Sequence, residues 1–159
     1  HEREASIVAE AGRKGAVTQA LFYGIIKNPA KRPHSACLEH IHTTILDIVD
    51  KEQPDCVAIE GIFFCKNVKT AIILGQARGA ALAACAVNGL PIYEYAPRRV
   101  KQAITGNGTA QKYQMINMVS RLLALPEATL KDDEADALAI ALCHLNCRNS
   151  ITAETCKQI

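Results

Sequence analysis

Two groups of carboxylates in this chain have the surroundings to do chemistry. One is Glu60, which closes the apolar run Cys56-Val57-Ala58-Ile59. The other is Asp132-Asp133-Glu134-Ala135-Asp136, set directly before Ala137-Leu138-Ala139-Ile140-Ala141-Leu142. From Tyr95 to Pro126 there are five basic residues (Arg98, Arg99, Lys101, Lys112, Arg121) and no acid, and from Glu127 to Asp136 there are five acids and one lysine. Carboxylates suit hard cations such as Mg²⁺, which keeps several waters and needs few protein oxygens. A cationic surface suits an anionic polymer. Together they are the parts of a metal-dependent nuclease, in which two ions about 4 Å apart activate a water and stabilise the leaving oxygen. On charge alone, two solvated faces of opposite sign account for the pattern equally well.

Each residue has a plainer reading beside the chemical one. Ligands in open α/β sheets gather beyond the carboxyl ends of strands, where Glu60 stands, yet a glutamate there can also cap a helix or hold an ion pair. Asp133 and Asp136 are three apart and Asp132 and Asp136 four apart, so either pair shares a helical face. Acids also favour the first turn of a helix. That accounts for Asp132 or Asp133 without catalysis, and less well for Asp136 at the edge of a buried run. Thr109 follows Gly106-Asn107-Gly108 and precedes a helix. Exposed amides there, with Lys112 one turn in, would receive a phosphate; the alternative is an ordinary cap and a solvated lysine. Phe63 and Phe64 follow Glu60 in a chain only 4% aromatic. One can stack on an unpaired base, or cover the core.

The elements that must position these groups follow from periodicity. Ser6–Glu10 and Val17–Lys27 are expected strands, joined by a turn at Gly12-Arg13-Lys14-Gly15. An amphipathic helix over 34–51 presents Leu38, Ile41, Ile45, Ile48 and Val49. Cys56–Ile59 has the continuous apolar run of a strand buried on both faces. A long Ala-rich helix over 66–87, a strand over 91–95, and helices over 97–104, 109–125 and 132–147 complete a β-β-α-β-α-β-α-α-α order. That is a mixed α/β layer fold. On the helix over 109–125, Met115, Met118, Val119 and Leu122 are spaced for one face. Gly75 and Gly79, four apart, permit close backbone approach to the sheet or to a partner helix.

At 159 residues the chain suits one domain, expected over 1–148, with a polar, frayed tail over 149–159. A hydrophobic content of 49% excludes a disordered chain. No apolar run reaches the length of a membrane span, and no secretory leader is evident. Seven cysteines without a C-x-x-C pair are expected to be reduced thiols in a cytoplasmic protein. Cys143, His144 and Cys147 lack a fourth partner for zinc.

An ordered set of these motifs resembles one family. Ala58-Ile59-Glu60 with Phe63, Leu74-Gly75-Gln76-Ala77-Arg78-Gly79, Val100-Lys101-Gln102, Gly106-Asn107-Gly108 with Lys112, and Asp133-Glu134-Ala135-Asp136-Ala137-Leu138-Ala139 are similar to the RuvC Holliday junction resolvases, over about Val17 to His144. The resemblance implies an RNase H-like fold, a homodimer, and Mg²⁺ or Mn²⁺, two ions per active site. It implies paired nicking of four-way DNA junctions in recombination and repair, with the RuvA–RuvB motor as partner. By matched position, Glu60, Asp133 and Asp136 would be catalytic metal ligands. Lys101 and Lys112 would meet DNA near the scissile phosphate, and Phe63 would meet bases at the crossover; Thr109 is expected to meet DNA on its own position before the helix, not by match.

The family opens with an apolar strand ending in an Asp-Pro-Gly turn, whose aspartate completes the metal site. His1-Glu2-Arg3-Glu4-Ala5 does not match it, and the role is not transferred to Glu2 or Glu4. The expectation is a chain without that strand, with neighbouring strand edges left unpaired and the ion site incomplete. A catalytically impaired module that grips branched DNA is therefore the rival expectation.

Overall fold

The computed structural model describes residues 3–14, 17–61, 67–126, 130–148 and 157–159. Its elements run β1 (Arg3–Lys14), β2 (Val17–Asn28), α1 (His34–Glu52), β3 (Val57–Glu60), α2 (Val68–Ala86), β4 (Ile92–Tyr95), α3 (Pro97–Thr105), α4 (Lys112–Leu122), α5 (Asp132–Arg148) and β5 (Lys157–Gln158). The chain divides into two compact units. The first comprises 1–6, 25–57 and 62–92; the second comprises 7–24, 58–61 and 93–159.

The first unit is built on α1 and α2. On α1 the buried residues are Cys37, Ile41, Ile45 and Val49, an i, i+4 seam. The expected face included Leu38 and Ile48, which are only half-buried, while Cys37 takes an inner place. The strict spacing of four explains the shift: it selects one narrow stripe from a broader apolar arc. α2 answers with small residues, Ala77, Ala84 and Cys85. Asn67 caps its start by accepting the Thr70 N–H at 3.2 Å.

The second unit contains the larger core. Val100 and Ile104 of α3, Met115 and Val119 of α4, and Ala135, Leu138, Ala139, Leu142 and Cys143 of α5 cluster with Tyr95 of β4. Ala20 and Tyr23 of β2 and Ala58 of β3 pack against that cluster. On α4 the seam is Met115, Val119 and then Leu123, just past the helix, whereas the expected Leu122 is 47% exposed. One sheet has the order β3-β4-β5, and β1-β2 form a separate two-stranded sheet. The ribbon extends further than expected: strand continues through Gly12, Arg13 and Lys14, while Gly15 and Ala16 lie outside the described residues.

Two further differences concern sheet edges. β3 stands at the end of its sheet, and Val57, Ala58 and Ile59 are half-buried rather than enclosed on both faces. In the stretch expected to be a frayed tail, Lys157 and Gln158 pair antiparallel with Glu94 and Tyr93. Strand pairing uses backbone groups, so an edge accepts polar side chains readily.

Candidate active site

All the charged candidates with described positions belong to the second unit. Glu60 ends β3, and the next residue, Gly61, donates its N–H to the Tyr95 carbonyl at 2.8 Å. A Cβ at Gly61 would lie 3.4 Å from Glu94 Oε1, so a side chain there would crowd the strand end that aims Glu60. Asp132, Asp133 and Asp136 lie in the first turns of α5. The backbone capping there is done by their neighbour: Glu134 Oε2 accepts the Lys131 N–H at 3.1 Å.

The lysines come from α3 and α4, and the intervening loop explains the Gly-Asn-Gly pattern. Gly106 ends α3 at φ 74, a left-handed conformation that favours glycine. Gly108 lies against α3: a Cβ there would meet Arg98 Cγ at 2.8 Å and the Arg98 carbonyl at 3.2 Å. Between them Asn107 Oδ1 accepts the Thr109 N–H at 3.0 Å and the Thr109 hydroxyl at 2.8 Å. Gln102 Oε1 accepts the Gly108 N–H at 2.9 Å. Gln114 Oε1 accepts the Gln111 N–H at 2.8 Å. The loop amides from Asn107 to Gln111 are therefore engaged internally. The open amide cradle expected at Thr109 is not there, and α4 begins at Lys112 rather than at Thr109. Thr109 holds the loop's shape, and the loop sets Lys112.

The charges act on one another. The Glu60 carboxyl is pushed above its ordinary value, first by lost hydration, then by the charge of Asp136, against the opposing pull of Lys101. Asp136 is also raised, first by lost hydration; Lys112 and Lys101 lower it, and Asp133 and Asp132 raise it. Both residues expose part of their surface, so the loss of hydration at the carboxyls is incomplete. Lys112 Nζ stands 3.3 Å from Asp132 Oδ2, and this partner raises the lysine. Glu60, Asp136, Asp133, Lys101 and Lys112 thus form one electrostatic group. Phe63 lies outside the described residues.

Sequence reading missed the roles of several neighbours. Arg99 Nη2 donates to Cys147 Sγ at 3.0 Å and its guanidinium stands 5.3 Å from the Tyr95 ring centre, so Arg99 serves packing. His144 Nδ1 is hydrogen-bonded to the Tyr95 hydroxyl at 2.7 Å. These contacts give Cys147 and His144 occupations other than zinc. The apolar run that hides His144 offered no signal for its partner on β4.

Among the described residues, no three His, Cys, Asp or Glu side chains converge into a ready-made metal cage. The donors present are nonetheless carboxylate oxygens that disfavour one another's ionisation. That is a fit for a hard divalent cation, which one or two carboxylates, water and a substrate phosphate can hold.

A strand-end carboxylate beside a carboxylate-bearing helix, on a mixed sheet flanked by helices, has close structural counterparts. The solved structure of Thermus thermophilus RuvC in complex with Holliday junction substrate superposes with a TM-score of 0.86, at 34% identity, over 95% of this chain and 90% of that one. A second Thermus thermophilus RuvC structure gives 0.81 over 96% and 91%. The fold is RNase H-like, a nuclease class. The family model for crossover junction endodeoxyribonuclease RuvC matches residues 4–144. The relative from Caldicellulosiruptor saccharolyticus is 45% identical over 139 residues, 87% of this chain and 84% of its own. That from Halothermothrix orenii is 48% identical over 134 residues, 84% and 81% respectively. The chain belongs to the RuvC family.

Proposed function

We propose that this chain is a metal-dependent endonuclease that resolves four-way DNA junctions by paired nicks, in recombination and repair. The observation that carries this reading is the electrostatic coupling of Glu60 and Asp136 beside Lys101 and Lys112. A Thermus thermophilus relative was solved in complex with Holliday junction substrate, which supports a four-way junction as the substrate. Lys101 and Lys112 neutralise and orient the phosphodiester. Glu60, Asp133 and Asp136 would hold Mg²⁺ or Mn²⁺. When bound, such ions supply an activated water and charge neutralisation at the leaving oxygen. Loss of hydration around the carboxyls strengthens every charge interaction with the phosphate. Phe63 and Thr109 belong to the same DNA-facing reading, Phe63 toward the bases and Thr109 through the loop.

Paired nicks need two copies. Val68, Ile72, Gly75 and Gly79 recur at helical spacing on α2, and Val68 and Ile72 are 72% and 57% exposed. A Cβ added at Gly75 or Gly79 would meet nothing within 4 Å. Such a stripe suits close approach of a second α2 in a homodimer. The RuvA–RuvB motor is the partner this reading brings with it, and the cytoplasm its place. Among the described residues no helix is long and apolar enough to cross a membrane.

The second reading is a junction-binding module with impaired cleavage. It is favoured by the absence, among the described residues, of three converging ligands. One experiment separates the two. A labelled four-way junction is incubated with the chain, with and without Mg²⁺, alongside Glu60→Gln and Asp136→Asn. Metal-dependent nicks lost in both variants, with junction binding retained, support the nuclease. Binding without nicks in the unmodified chain supports the module. Loss of binding in step with loss of cutting would make these acids structural.

A further inference from the structure

A cleft of about 300 Å³ lies between the end of α3, the Gly106–Ala110 loop and the first turns of α4. It is lined by Thr105, Asn107, Ala110, Tyr113, Gln114, Asn117 and Met118. None of these belongs to the carboxylate site, but Tyr113 directly follows Lys112, whose ammonium pairs with Asp132. The cleft and Lys112 thus share the first turn of α4. Its volume is at the small end for a ligand pocket, in the range of a single compact group.

The chemistry of the lining is specific. Ala110 is 2% exposed and Met118 packs on the core, giving an apolar floor. Tyr113 stands at the rim with 70% of its surface in solvent. An aromatic ring left so bare next to a cationic residue offers a flat face to another ring. Two of the three lining amides are oriented by their own bonds. Asn107 Oδ1 is committed to Thr109, and Gln114 Oε1 to the Gln111 N–H. Each of these two therefore has its NH₂ end to give, so the lining includes hydrogen-bond donors. Base edges carry acceptors at their keto oxygens and ring nitrogens, and base faces stack on aromatic side chains.

We propose that this cleft seats one unstacked nucleobase of the junction, with the Tyr113 ring as platform and the Asn107 and Gln114 amides as donors to its acceptor edge. The inference rests on the junction-nuclease reading and adds a base contact on α4 to the phosphate contacts of the lysines. A four-way crossover strains pairing at its centre and can release a base. A linear duplex keeps its bases stacked and paired, and a side-chain platform cannot reach them. The site therefore distinguishes branched from linear DNA by a contact that backbone charge alone cannot make.

The test compares affinities of the full chain for a labelled four-way junction and for a linear duplex of the same sequence, at one salt concentration. Tyr113→Ala, Tyr113→Phe and Lys112→Ala are measured beside the unmodified chain, with thermal melts to confirm folding. Tyr113→Ala is expected to weaken junction binding about tenfold more than duplex binding, the scale of one base–aromatic stack. Tyr113→Phe keeps the ring and should restore the preference. Lys112→Ala should weaken both DNAs together. An unchanged junction affinity in Tyr113→Ala, or an equal loss on both DNAs, overturns the base seat while leaving the nuclease reading intact. An unmodified chain with no preference for the junction removes the parent reading and this inference with it.

Discussion

The Tyr95 hydroxyl and His144 Nδ1 are hydrogen-bonded at 2.7 Å in the interior of the second unit, where Tyr95 is 0% and His144 4% exposed. The Tyr93 ring adds a contact, its centre 4.6 Å from that of His144. The bond ties α5, which carries Asp133 and Asp136, to β4, the ladder neighbour of the strand that ends in Glu60. Tyr95→Phe removes the hydroxyl and leaves a buried nitrogen short of a partner. The expected cost is about 1–3 kcal/mol, read as a lower midpoint in urea unfolding with an unchanged slope. A midpoint equal to that of the unmodified chain would show that the bond contributes nothing net.

Lys112 and Asp132 form an exposed pair, so its worth to the fold is small, about 0–1 kcal/mol. Lys112→Ala should leave the melting temperature nearly unchanged. It should weaken binding to all junction sequences alike and lower the salt slope by up to about one unit. Affinities measured over a salt series decide this. An unchanged slope takes Lys112 out of the interface.

Stability should depend on pH through Glu60 and Asp136. Both carboxyls hold their protons to higher pH in the folded chain than in the unfolded one. Between the ordinary and the raised values the folded state binds more protons, so unfolding free energy falls as pH rises through that window. Asp136→Asn removes one of the two charges. Without divalent metal it should melt higher than the unmodified chain at neutral pH, and the gap should close in acid. Added Mg²⁺ should raise the melting temperature of the unmodified chain more than that of the variant. Calorimetry at pH 4 and pH 7, with and without Mg²⁺, measures all of these.

Gly108→Ala places a methyl group within 2.8 Å of Arg98 Cγ and 3.2 Å of the Arg98 carbonyl. The side chain can swing aside, but the carbonyl belongs to α3 and yields less. A cost of about 1–3 kcal/mol is expected from such overpacking, with weaker junction binding because the loop carries Lys112. A variant with native stability and native affinity would show that the loop adapts freely.

Much of the second unit was legible in the sequence because its signals are local. The apolar run after Asp136 marked α5 as a buried helix, and Gly106-Asn107-Gly108 marked a tight loop before α4. The carboxylate–lysine group was legible through the resemblance and through charge segregation. What stayed hidden depends on partners distant in sequence. Nothing near Thr109 shows that its N–H is claimed by the Asn107 side chain, so an open phosphate cradle was expected. Nothing in the Arg98-Arg99 pair shows that Arg99 turns to Tyr95 and Cys147. The apolar run before Glu60 read as a strand enclosed on both faces, because composition reports hydrophobicity and not whether a strand ends its sheet. Lys157 and Gln158 joined β4 through backbone groups, which side-chain patterns do not announce.

In the proposed reading, the Lys112–Asp132 contact makes part of the DNA surface its own counterion. A phosphate that takes Lys112 displaces a carboxylate that stays tethered to the protein, so that exchange releases less free salt than a bare lysine would. The displaced Asp132 then stands uncompensated beside Asp133 and Asp136. DNA entry therefore makes the acidic pocket more negative as a divalent cation is needed, and by reciprocity a bound cation makes Lys112 easier to win for DNA. In that reading, substrate and metal would be coupled through one surface ion pair, with no change of fold required.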